Sequence, residues 1–408
     1  MQFKSAKILA LGLFAFSALA ANAQENNLNC SSSTAMLSAD FPIARMNDCE
    51  VLNKTSFKIT ITPEDEPPIN PSPWYAFRVS PHDKTIRVQI AYEHANHRYH
   101  PKVSYNRKQW AVLKPKFVKK LSDNLIEITL PADSKPMFVS AQEFISNADY
   151  ELWLDRLASE PGIEKKLLGV SSDRRSIFKL ESLGAAQNKD ADTPYFVMVG
   201  RQHPPELTGA LAMVSFMDTV FGDSALAREF RSIFNVIAVP NMNPDGVSSG
   251  NWRHNNRGKD LNRDWGPFDH AETQLMRDEL AQFSDTEADK GKSLWFFLDF
   301  HSTRKNTLYT QYDDAENFMP GFTAAWIGNV KEQLGDIYPF TRDPRHNSSL
   351  PTSKNYVYTK YGISAITYEV GDETDRSEIN RSAIVFAEEM MKELLKQHRD
   401  GAKAPYDE

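Results

Sequence analysis

His203 and Glu206 stand three residues apart in the stretch Gly200-Arg201-Gln202-His203-Pro204-Pro205-Glu206. An imidazole and a carboxylate at that spacing can face one point where the chain turns into a helix. A catalytic zinc site takes three such protein ligands and keeps a fourth place for water. Pro204 and Pro205 fix the turn, so the helix is expected to begin at one of them. H-x-x-E alone is a weak signal. The longer pattern H-x-x-E-H is absent, because Leu207 fills its last position, and there is no H-E-x-x-H. A third ligand must come from elsewhere. His301, in Asp299-Phe300-His301-Ser302, is a candidate because it ends an apolar strand; a core histidine satisfied by hydrogen bonds is the other reading of such a residue. A polar run, from Asn243-Pro244-Asp245-Gly246 through Arg253 to Asp260-Leu261-Asn262-Arg263, reads as a tight turn followed by a loop rich in Arg and Asn.

The elements around these residues alternate. Short apolar runs at Tyr195–Val199, Ile233–Val239, Leu294–Phe300 and Ser364–Val370 predict buried strands. Helical spacing predicts helices at Ala148–Ser159, Leu207–Phe221, Asp269–Phe283, Thr323–Leu334 and Ser377–His398. The expected fold class is α/β, a mixed sheet covered on both faces. In such sheets ligands bind beyond the carboxyl ends of the strands, which is where the polar residues fall. Upstream, β-branched or alternating runs at Ser56–Thr62, Trp74–Val79, Thr85–Tyr92, Leu125–Leu130 and Pro136–Val139 predict a small antiparallel β-sandwich. The domain division expected is 1–23 as a signal peptide, 24–145 as the sandwich and 146–400 as the α/β domain.

The ordered elements HPPE, NPDG, an arginine, DLNR, FHS and a late YE, between Tyr195 and Glu373, resemble the zinc carboxypeptidase superfamily typified by carboxypeptidase A. Trp74-Tyr75-Ala76-Phe77-Arg78-Val79-Ser80 and His97-Arg98-Tyr99-His100-Pro101-Lys102-Val103-Ser104 resemble the N-terminal β-sandwich of the cytosolic carboxypeptidase-like branch. The resemblance implies a metallocarboxypeptidase with one Zn2+ per chain, held by His203, Glu206 and His301. Asp260 would accept the other ring N–H of His203. Glu369 would be the general base acting on a zinc-activated water. Arg253 would stabilise the oxyanion, and Asn262 and Arg263 would bind the substrate's terminal carboxylate. Lys354 stands near where the family sets its side-chain specificity, and a cation there would favour an acidic C-terminal residue. The family's mobile tyrosine has no counterpart in Asn347–Ser353. Tyr356 and Tyr358 are the nearby phenols. Two other readings fit the same residues: a zinc-dependent amino-acid deacylase of the same fold, and a non-catalytic peptide-binding relative.

Length and composition accommodate this. The 408 residues are 41% hydrophobic and 25% charged, with a formal net charge of -7. No basic excess points to nucleic acid as a partner; peptide or protein C-termini are the substrates the resemblance implies. Lys4 and Lys7, the apolar run from Ile8 to Ala21 and the A-x-A site Ala21-Asn22-Ala23 predict an exported protein, periplasmic or secreted, with no membrane anchor after cleavage. Export makes a disulfide between Cys30 and Cys49 the expected state of the two cysteines. His94, His97 and His100 are spaced like a metal cluster, yet no carboxylate completes a site, so they are read as structural or surface residues.

Overall fold

The computed structural model describes residues 28–182, 184, 193–283, 291–346 and 349–402. The expected leader, residues 1–23, lies outside them. The N-terminal part carries eleven strands: β1 Asn29–Ser31, β2 Met36–Ser38, β3 Asp48–Asn53, β4 Ser56–Ile61, β5 Ala76–Val79, β6 Ile86–Tyr92, β7 Lys102–Ser104, β8 Ala111–Val112, β9 Val118–Ser122, β10 Leu125–Leu130 and β11 Met137–Ser140. They form two sheets, ordered β1-β2-β5-β11-β7-β8 and β3-β4-β6-β10-β9. Alternation explains the layering. Phe57, Ile59 and Ile61 of β4 and Ile86, Val88 and Ile90 of β6 enter one shared core, and the residues between them are less buried. The β4–β6 pair is parallel, a departure from the antiparallel pairing expected throughout. Cys30 and Cys49 are joined, with Cα atoms 5.9 Å apart, which ties β1 to β3.

The remainder is a three-layer α/β unit. Its elements are α1 Asn147–Leu157, β12 Ile163–Val170, β13 Ser176–Ser182, β14 Thr193–Gly200, α2 Leu207–Val220, α3 Ala225–Ile233, β15 Asn235–Val239, α4 Pro244–Ser249, α5 Ala271–Leu280, β16 Lys292–Thr303, β17 Thr307–Thr310, α6 Phe322–Leu334, β18 Thr341–Pro344, α7 Ser353–Tyr361, β19 Ser364–Gly371 and α8 Arg376–Arg399. The eight strands are ordered β12-β13-β15-β14-β16-β19-β17-β18, and β15, β14, β16 and β19 are parallel. Both faces of these central strands are apolar because helices cover both. Phe196 and Met198 of β14 pack with α2, α6 and α8, whereas Tyr195, Val197 and Val199 pack with α5 and α7.

Two local expectations are corrected. Helix α2 starts at Leu207, not at Pro204 or Pro205, and the prolines sit in the turn before it. Glu206 takes the N-cap position with φ -78° and ψ 66° and makes no capping bond; its carboxylate is turned toward two histidines instead. The Asn243–Gly246 turn opens a short helix, α4, with the Asn243 side chain accepting a hydrogen bond from the Gly246 N–H at 2.9 Å.

Candidate active site

Three parallel strands bring the site together. β14 ends at Gly200 and leads directly to His203 and Glu206. On the neighbouring strand β16, Asp299 and His301 are two residues apart and therefore share a face. Glu369 pairs in register with His301 on β19, so its side chain stands beside that histidine on the same face. Close packing holds α2 against this edge. A Cβ on Gly209 would fall 2.3 Å from the His301 carbonyl oxygen, so only glycine lets the first turn of α2 approach. Ser302 contributes its hydroxyl, which accepts from the Gly209 N–H at 2.8 Å, and its own N–H donates to Glu206 Oε2 at 3.1 Å.

His203, Glu206 and His301 are buried, with ligand-type atoms within 4.8 Å of one another. His203 Nδ1 lies 2.8 Å from Glu206 Oε1, and His301 Nδ1 lies 2.7 Å from Glu206 Oε2. Their Nε2 atoms face Asp260 Oδ1 at 2.9 Å and Asp299 Oδ2 at 2.8 Å. A neutral imidazole donates from one nitrogen only. With each Nε2–H donated outward to a carboxylate, each Nδ1 turns its lone pair toward another acceptor, Glu206. Two imidazole nitrogens and a carboxylate oxygen whose lone pairs meet at one point are a donor set that fits a divalent zinc ion, with the outer carboxylates fixing the tautomers. The electrostatics agree. Burial opposes charge at Glu206, but the flanking His203 and His301 outweigh it and hold its carboxyl well below the usual range. Burial likewise opposes a charged His301, and Asp299 and Glu206 outweigh it, so the position strongly attracts positive charge.

The remaining expected residues gather around this centre. Asp260 bridges His203 and Arg253, whose Nε donates to Asp260 Oδ2 at 2.7 Å. Burial raises the Asp260 pKa, but His203, then Arg253 and Arg263, pull it far below the ordinary carboxylate value. The Asn262 amide is buried between His301 Nε2, at 3.2 Å, and the Ser353 N–H, which donates to its Oδ1 at 3.0 Å. Arg263 is half-buried, donates to the Asn262 carbonyl at 2.7 Å and has no salt bridge among the described residues. Glu369 is half-buried, and its Oε2 is enclosed without a hydrogen-bond partner among the described residues. Burial and the negative charge of Glu206 push its carboxyl up to about 7, against the pull of His301 and His203. Lys354 is buried in the first turn of α7, with its Nζ donating to the Arg345 carbonyl at 2.6 Å. Tyr356 packs against Trp265 and Phe268, and Tyr358 donates to the Glu316 carbonyl, so neither joins the centre. Tyr309, paired with Thr367 two positions from Glu369, is the phenol whose pKa is raised by burial and by Glu369. His94 and His100 are exposed, and His97 Nδ1 lies 3.0 Å from the Tyr92 hydroxyl; the three do not converge.

Some of the site was not anticipated. Asp299 orients His301; its signal was available in the i, i+2 spacing on a strand. Asp372, three residues beyond Glu369, receives Arg98 Nε at 2.8 Å and Nη2 at 3.1 Å from the N-terminal sheets. Neighbouring Glu373 receives the His100 N–H at 2.9 Å and Lys102 Nζ at 3.3 Å. The sandwich therefore grips the segment that follows the Glu369 strand.

Comparison with known proteins gives the lineage. The chain is 35% identical over 92 residues to cytosolic carboxypeptidase 3 of Mus musculus, covering 22% of this chain and 9% of that protein. It is 42% identical over 119 residues to cytosolic carboxypeptidase 2 of Xenopus tropicalis, covering 28% of this chain and 12% of that protein. The matched stretches thus span about a tenth of these relatives' length. A crystal structure of a metallo-carboxypeptidase from Burkholderia cenocepacia shares the fold, with a TM-score of 0.73 at 18% identity over 90% of this chain and 99% of that one. The zinc carboxypeptidase profile matches residues 150–394, a span that holds the entire His203–Glu206–His301 centre and the strand bearing Glu369, and by that match the chain belongs to the zinc carboxypeptidase family.

Proposed function

We propose that the chain hydrolyses the C-terminal peptide bond of peptides or proteins. One observation carries this reading: a buried His203–Glu206–His301 donor set flanked by a carboxylate, Glu369, with an unpartnered oxygen, and by a guanidinium, Arg263, without a salt bridge among the described residues. The first two features suit hydrolysis, and the third, Arg263, suits a substrate with a free carboxylate. His203, Glu206 and His301 would hold a zinc ion, which would supply a Lewis acid able to lower the pKa of water toward about 7 and to polarise the scissile carbonyl. Glu369 takes the proton from the attacking water and passes it to the leaving amine. Arg253, held by Asp260, carries positive charge to where the oxyanion develops. Arg263 and Asn262 bind the terminal carboxylate, Arg263 through a planar fork that can make two parallel charge-assisted bonds. Export is part of the proposal, and the Cys30–Cys49 pairing supports it, since such bonds persist in oxidising compartments.

The test uses peptides with free and amidated C-termini. Stepwise release of single C-terminal residues from the free peptides, and none from the amidated ones, is the expected result. Endoproteolytic fragments, or inertness of the zinc-loaded protein on every peptide, would sink the reading.

The finer part of the proposal concerns the residue released. Lys354 follows Ser353, the residue that touches Asn262, and would set a preference for acidic C-terminal side chains. Burial, then the charge of Arg345, pushes the Lys354 ammonium down to about 8, against Asp343. The group is charged below that pH and neutral above it. Release of C-terminal Glu is therefore expected to exceed that of Lys or Phe near pH 7 by roughly tenfold or more, the worth of one charge-assisted bond. The advantage should fade between pH 7 and 9 and be absent in Lys354→Met. A preference indifferent to both pH and substitution would exclude Lys354 as its source.

A further inference from the structure

The residue most exposed to misplacement in this site is Arg253, because it sits in an irregular loop with no strand or helix to direct it. The structure shows what holds that loop. Glu64, in the segment after β4, accepts three successive backbone N–H groups: Trp252 at 2.6 Å on Oε2, and Arg253 at 2.7 Å and His254 at 2.6 Å on Oε1. Asp65 adds a contact of 2.5 Å to His254 Nδ1. The same loop is anchored on either side by the N-terminal sheets. Trp252 donates its ring N–H to the Trp74 carbonyl at 3.0 Å and belongs to the sandwich core. Gly250, with φ +64°, lies so close to Ile43 that a Cβ would fall 2.6 Å from its carbonyl oxygen. Arg45 reaches the Asn251 side chain at 3.3 Å.

Glu64, Asp65 and His254 also lie within 4.8 Å of one another, a spacing that could hold a cation. The hydrogen bonds argue for another role. Both Glu64 oxygens are engaged by main-chain N–H groups, and Asp65 is engaged by His254. Three consecutive N–H groups turned to one carboxylate form an anion-binding concavity of main chain, and its occupant is part of the protein.

We infer that Glu64 is a positioning residue for Arg253, supplied by the N-terminal sheets across 189 positions of sequence. By gathering the N–H groups on either side of Arg253 and its own, the carboxylate fixes the direction in which that side chain leaves the loop toward Asp260. This rests on the reading of Arg253 as the oxyanion's partner, and it gives the N-terminal sheets a part in catalysis.

A double-mutant cycle on the zinc-loaded full chain tests it, with kcat, KM, zinc content and Tm recorded for Glu64→Gln, Arg253→Ala and the double variant. Glu64→Gln keeps the size of the side chain but puts an amide N–H2 where one carboxylate oxygen accepted, facing either the Trp252 N–H or the Arg253 and His254 N–H groups. Its kcat is expected to fall roughly 10- to 100-fold, the cost of misplacing a group by about an ångström. KM should stay within about twofold, because the interaction is made in the transition state. In the Arg253→Ala background the same substitution should change kcat by less than about twofold, since the two act as a unit. An equal loss in both backgrounds overturns the inference, because Glu64 would then act on the scaffold at large. An Arg253→Ala loss with no effect of Glu64→Gln overturns the clamp and leaves the role of Arg253 standing. Full kcat in Arg253→Ala overturns that role and the clamp with it. Should Glu64→Gln fail to fold, Glu64→Asp, which keeps both acceptor oxygens one methylene shorter, carries the same cycle.

Discussion

Glu369→Ala is expected to lose turnover by about 10²- to 10⁴-fold, the range that a positioned general base contributes, and to retain its zinc. The expectation follows from which carboxylates at the centre are free to move a proton. Glu206 is committed to both histidines and Asp260 to His203 and Arg253. Asp299 has one oxygen on His301, Gln202 and Ser353 and another without a partner among the described residues, but it is wholly buried and meets no solvent. Glu369 alone of the four is half-buried with an unpartnered oxygen, and its carboxyl is raised toward neutrality, where a base can both take and return a proton. Because Glu369 stands outside the His203–Glu206–His301 set, metal analysis of the variant should match the parent protein. Glu369→Gln, which preserves volume, should be equally slow. Full activity in either variant would refute the assigned base. Loss of zinc along with activity would make Glu369 part of the metal centre instead.

The sequence made the centre legible because its residues sit at the carboxyl ends of strands that are buried on both faces. Tyr195–Val199 is a continuous apolar run, Leu294–Phe300 is apolar but for Asp299, and Ser364–Val370 is apolar but for Ser364, Thr367 and Glu369; each is the core of an observed strand. What escaped was structure without such a signal. β12 and β13 lie at the edge of the sheet and break their apolar residues with lysine and glutamate, so they lack the mostly apolar run that marks the interior strands. Ile233 and Phe234 read as the start of a strand. Ile233 in fact ends helix α3 and Phe234 caps it, because their apolar side chains pack beneath the sheet from the helix side. The prolines at 204 and 205 suit a first helical turn equally well, and only the commitment of Glu206 to the two histidines moves the helix start beyond them. Pairings such as Glu64 with Arg253, or Arg98 with Asp372, have no local signature at all. They join segments 189 and 274 positions apart, and tertiary packing alone decides them.

Chelation is expected to abolish activity and lower Tm together, and added zinc to restore both. Glu206, Asp260, Asp299 and Glu369 put four carboxyl groups around two imidazoles in a region largely closed to water. Arg253 offsets one of them. Three carboxyls remain, one of them Glu369 raised toward neutrality, and a dication offsets the other two, so its removal sets like charges against each other in a poorly screened space, and protons must take its place at the histidines and carboxyls. A ligand bound to the folded state alone at 1,000 times its Kd contributes about 4 kcal/mol, which for a unit of this size corresponds to a Tm shift on the order of 10 °C. His301→Ala should show the same loss without rescue by zinc, because it removes one of the three donors and leaves Asp299 buried with only the neutral Gln202 and Ser353 as partners. A protein freed of metal that still releases C-terminal residues, or whose Tm does not respond to chelator, would mean that the two histidines and Glu206 form a hydrogen-bonded core rather than a metal centre. In that case Glu369 would have no activated water to act upon.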